Sequence, residues 1–114
     1  MSGQGALFTI ANATPDSLEV KVSDVKGMNS VPPGGTLARG AVQGPSYIEA
    51  TWGPAASEFW VSFGPFEIPF NESGWAYWVN GINCYTENSK GRNVTVAIAQ
   101  RESGRQDVIN IIVY

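Results

Sequence analysis

The chain has no histidine and only one cysteine, Cys84, among its 114 residues. Without histidine there is no imidazole general base, no imidazole metal ligand and no Ser-His or Cys-His nucleophile. A lone cysteine cannot close an internal disulfide, so nothing points to the covalent framework of a small secreted domain. Nor does one thiol among scattered carboxylates offer the ligand spacing of a zinc site. Neither Gly-x-Gly-x-x-Gly nor a P-loop occurs, so no cofactor or metal is expected. Charge is scarce as well. Charged residues make up 15% of the chain, with seven Lys and Arg against ten Asp and Glu, for a net charge of -3. The seven bases are dispersed rather than clustered, which argues against nucleic acid as a partner. No apolar run approaches the roughly 20 residues of a membrane-spanning helix. The first eight residues, Met-Ser-Gly-Gln-Gly-Ala-Leu-Phe, lack the charged and apolar regions of a signal peptide. The expectation is a cytoplasmic protein, or one exported by an unconventional route. In that setting the sequons at Asn12, Asn71 and Asn93 read as chance.

One enzymatic route needs no histidine, because paired carboxylates can hydrolyse glycosides, and Glu49, Glu58, Glu67 and Glu72 are the candidates. Their ordinary reading as solvated strand and loop charges is preferred, so no enzyme is expected. Cys84 has no adjacent cation or helix N-terminus to activate it and is expected to be a small core residue.

What the chain does have is 43% hydrophobic residues, 13 glycines and seven prolines, in a length suited to one domain spanning residues 1–114. Period-two alternation recurs in short runs closed by turn residues. Leu18–Val25 alternates cleanly, with Leu18, Val20 and Val22 inward. Ala6–Ala11 is expected to pair with it as an opening hairpin and to offer a sheet edge. Residues 26–35 read as a loop. Gly-Pro pairs at 44–45, 53–54 and 64–65 cut out strands at Tyr47–Trp52 and Phe59–Phe63. Prolines 65 and 69 restrict Phe66–Phe70 to an edge or a bulge. Asn93–Ala99 and Asp107–Tyr114 close the chain around a turn at residues 102–105, the last strand being apolar on both faces and therefore central. About eight short strands and no helix predict an antiparallel β-sandwich, with a small β-barrel as the alternative.

The strongest local signal is Asn80-Gly81 between two aromatic runs, the mark of a two-residue β-hairpin. Continued pairing would set Val79 opposite Ile82, Tyr77 opposite Cys84 and Trp75 opposite Thr86 on a core face. Trp78 with Asn83, and Ala76 with Tyr85, would share the other. Alternation likewise puts Ile48, Ala50 and Trp52 inside with Tyr47 and Glu49 outside, and Phe59, Val61 and Phe63 inside with Trp60 and Ser62 outside. If these strands are neighbours, one surface collects Tyr47, Glu49, Trp60, Ser62, Trp78, Asn83 and Tyr85. Aromatic planes beside short polar groups suit a pyranose, which predicts a lectin-like, carbohydrate-binding protein.

The same aromatics also suit a subunit interface or a lipid headgroup, since Trp is enriched at both. In general type, a short, acidic, Trp-rich β chain resembles cytosolic defence lectins and aegerolysin-like lipid-binding proteins. The expected partners are a glycan or glycoconjugate, or a lipid headgroup. Self-association is expected too, as a homo-oligomer and most simply a dimer, because paired sites gain avidity.

Overall fold

The computed structural model describes residues 2–53, 56–101 and 106–114. Eleven strands occur among them: β1 (Ser2–Asn12), β2 (Leu18–Lys26), β3 (Met28–Ser30), β4 (Gly35–Leu37), β5 (Val42–Thr51), β6 (Ser57–Phe63), β7 (Phe66–Ser73), β8 (Ala76–Val79), β9 (Cys84–Ser89), β10 (Arg92–Ala99) and β11 (Asp107–Val113). They form a six-stranded sheet, in the order β3-β5-β1-β11-β10-β9, and a five-stranded sheet, β4-β2-β6-β7-β8. The molecule is a β-sandwich, and neither sheet closes into a barrel.

Alternation explains the core. Phe59, Val61 and Phe63 of β6 and Phe66, Ile68 and Phe70 of β7 point inward from one sheet, against Phe8, Ile10, Val94, Val96, Ile109 and Ile111 from the other. The Phe59 and Phe70 rings stack at 5.3 Å, and Phe8 meets Phe70 edge-on at 5.5 Å. Such ring pairs add roughly 0.5–1.5 kcal/mol each beyond area burial; here Phe8–Phe70 joins the two sheets, while Phe59–Phe70 ties β6 to β7 within one of them.

Several expectations fail where the chain changes sheet. β1 and β2 are not a hairpin, because they lie in different sheets. β1 is not an edge either: it pairs with β5 on one side and runs parallel to β11 on the other. β7 is interior despite Pro69. Its neighbour β8 registers only with Phe70–Ser73, so the missing N–H falls beyond the end of that ladder. The segment read as a loop holds β3 and the start of β4. β11 is central as expected, but only one of its faces is buried, and Ile112 on the other is exposed. Pro54 and the turn at residues 102–105 lie outside the described residues.

The Asn80-Gly81 turn does form. Both residues have positive φ, 50° and 76°, and Val79 and Ile82 exchange two backbone hydrogen bonds. Pairing stops there. β8 joins β7 in one sheet while β9 joins β10 in the other, so the turn carries the chain across the end of the sandwich. Ile82 and Cys84, expected in the core, are consequently exposed.

Candidate functional site

A second two-residue turn builds the most distinctive surface. Ser73 pairs with Ala76, leaving Gly74 and Trp75 at the tip with φ of 62° and 63°. Positive φ at both positions is the type I′ hairpin geometry that favours Asn and Gly, and a bulky Trp in it is strained. Trp75, expected in the core, is 39% exposed. Its backbone N–H donates to Glu72 Oε2 at 3.2 Å, fixing the turn.

Trp75 stands over an open cleft of about 610 Å³ at one end of the sandwich. Trp60 on the outer face of β6 lines it and is 37% exposed. Trp52, assigned inward by alternation, lies just past the end of β5 and also lines the cleft, 54% exposed. Three of the four tryptophans therefore meet at one site. Polar lining includes Glu58, Asn71, Glu72 and Ser73, and no Lys or Arg lines it among the described residues. Lys26 reaches Glu58 at 3.7 Å from the side, a solvent-exposed contact of little strength. The fourth tryptophan, Trp78, sits opposite Asn71 on β7, half-buried, with its indole N–H donating to Ser73 O at 3.0 Å.

Partial burial pushes the Glu72 carboxyl above its ordinary value, with the Asp107 charge adding to the rise and the Trp75 N–H opposing it. Beneath Glu72 lies a buried polar cluster. Asp107, fully buried, accepts from Gln4 Nε2 at 3.1 Å, Tyr77 N at 2.9 Å and Arg101 N at 2.9 Å. The Tyr77 hydroxyl donates to Gln4 O at 2.7 Å, and burial holds it far above the usual phenol range.

The surface expected from alternation is not assembled. On the outer face of β5 Tyr47 is exposed and Glu49 half-buried, and the Tyr47 hydroxyl donates to Glu49 Oε1 at 2.8 Å; that bond, first, and burial raise the phenol. Asn83 and Tyr85 lie at the opposite edge of the same six-stranded sheet. Tyr85, expected outside, packs half-buried against the core, its hydroxyl donating to Glu87 at 2.6 Å. Trp60, Ser62 and Trp78 belong to the other sheet. Of the expected set, only Trp60 lines the cleft. Trp52, Trp75, Asn71 and Ser73 line the cleft but were not among the expected surface residues. Glu58 and Glu72 also line it but were considered only as catalytic carboxylates. The readable signals were Gly53 directly after Trp52 and Gly74 directly before Trp75, each breaking the alternation that assigned the tryptophan to a core face.

No protein-family model matches the chain, and a search of curated proteins gives no match. Among solved structures, that of the lipid binding protein Nakanori is similar, with a TM-score of 0.68 and 12% sequence identity over 97% of this chain and 71% of that one. At that identity the likeness shows the shared fold.

Proposed function

We propose that this protein binds lipid at a membrane surface through the tryptophan cleft, acting as a binding module without catalysis. The observation that carries the reading is the convergence of Trp52, Trp60 and Trp75 on one open cleft, with Trp75 displayed at the tip of a strained turn. Indole rings settle at the headgroup level of a bilayer, where an apolar body and a polar N–H are both accommodated. The lack of basic lining among the described residues and the net charge of -3 favour neutral over anionic surfaces. A neighbour of the same fold described as a lipid binding protein supports this choice over a soluble glycan.

The test is vesicle flotation with pure phosphatidylcholine, with added phosphatidylserine, and with added neutral glycolipid, beside an array of soluble glycans. Flotation with the neutral vesicles is expected, unchanged or weakened by phosphatidylserine and abolished by Trp52→Ala with Trp75→Ala. Binding to soluble glycans without any vesicle binding would replace this reading with the carbohydrate-binding one.

A further inference from the structure

The two outer faces of the sandwich differ in charge. The five-stranded sheet presents Glu19, Lys21, Glu58 and Glu67 to solvent, as the alternation of β2, β6 and β7 requires. The six-stranded sheet presents rows that can be read from its register. Tyr47, Leu7, Val108 and Ala99 form one row; Thr9, Asn110, Ala97 and Cys84 form the next; Val42, Ala11, Ile112, Thr95 and Thr86 form the third. None of these thirteen side chains carries a charge at neutral pH. Val42 is 61% exposed and Ile112 45% exposed, and the carboxylate of Glu49 stands at the corner, hydrogen-bonded by Tyr47 and Asn29.

We infer that this face docks a second copy of the chain, sheet against sheet, in a two-fold homodimer. A molecule of net charge -3 opposes its own association wherever carboxylates meet, and this is the broad face on which two copies approach without that repulsion or a charge to desolvate. The alanines and threonines of the rows leave room for the roughly 10 Å spacing of packed sheets, and Asn110, central in the middle row, carries both a donor and an acceptor for its own symmetry mate. A bilayer fits less well, because these thirteen described residues include neither tryptophan nor a basic residue to anchor the face. The cleft lies outside these rows, so both copies keep it open, and paired clefts gain avidity on a surface. This inference is independent of what the cleft binds.

Sedimentation equilibrium of the full chain across micromolar concentrations is expected to give twice the 12.2 kDa chain mass. Ala97→Lys and Ala99→Lys, both at exposed positions, are expected to raise the dimer dissociation constant at least tenfold with unchanged melting, whereas Lys21→Glu on the other sheet leaves it alone. Thr86→Lys, in the third row, replaces either variant should it melt early. A wild-type protein that stays monomeric overturns the inference, and so does a dimer indifferent to the lysines. A monomer whose vesicle binding is lost in Ala97→Lys would assign the face to the bilayer instead.

Discussion

The Tyr77 backbone N–H donates to Asp107 Oδ2 at 2.9 Å, so a buried carboxylate on β11 of one sheet completes the open edge of β8 in the other. Gln100 Nε2 donates to the Tyr77 carbonyl at 2.8 Å and finishes the same edge. An edge strand ordinarily exposes such groups to stray pairing, and here side chains occupy them. The cluster adjoins the cleft through Glu72, a lining residue that pairs with Tyr77. It thus links the packing of the two sheets to the position of the Ser73–Ala76 turn and of Trp75.

Removing the carboxylate should therefore be costly. Asp107→Ala removes the acceptor of the buried Tyr77 amide, which costs about 1–3 kcal/mol when unsatisfied, and takes one bond each from Gln4 Nε2 and the part-buried Arg101 amide, though not additively. A loss of about 3 kcal/mol or more is expected in urea unfolding. A loss below about 1 kcal/mol would show that the cluster does not hold the sheets together.

The Tyr77 hydroxyl tests the same cluster more gently. Tyr77→Phe keeps the ring in the core but leaves the Gln4 carbonyl without its 2.7 Å donor. The expected cost is about 1–2 kcal/mol in the same unfolding measurement.

Much of this fold was legible because period-two alternation with one buried face directly reports which side of a strand meets the core. Val20, Val61 and Val96 are buried and Glu19, Trp60 and Ala97 exposed as their strands predict. What local pattern could not report is the choice of partner strand. Asn80-Gly81 specifies a tight turn, yet whether its flanks stay together depends on β7 and β10, distant segments that each claim one flank. The candidate site was lost for the same reason. Tyr47 and Trp60 both face outward, but from different sheets, while Trp52 and Trp75 belong to chain just beyond a strand end and in a turn, where alternation no longer applies.

Glu72 should give the protein a pH-dependent stability. Its native pKa lies above the ordinary 4.5, so between those two values the folded state binds more protons than the unfolded state. Stability then falls as pH rises through that window, and the deficit persists above it. Glu72→Gln keeps an oxygen for the Trp75 N–H and removes the titration. The variant is expected to gain stability over wild type at pH 7 and to lose that advantage at pH 4, measured by urea unfolding at both. An equal difference at the two pH values would place the cause outside this carboxyl.

Trp75 offers the clearest separation of fold from function. Its backbone sits at φ 63°, a region costing a residue with a Cβ roughly 1 kcal/mol or more, beside Gly74 in a turn whose geometry favours Asn or Gly. Trp75 is 39% exposed and lies outside the buried core cluster, so core packing is kept when it is replaced. Trp75→Asn should accordingly raise stability by about 0.5–1 kcal/mol, seen as a higher melting temperature. Conservation of the turn is expected, because the N–H that donates to Glu72 is retained. If the cleft is the lipid site, the same variant floats poorly with phosphatidylcholine vesicles while melting later than wild type. A purely structural tryptophan would show the opposite pairing, with reduced stability and undiminished flotation.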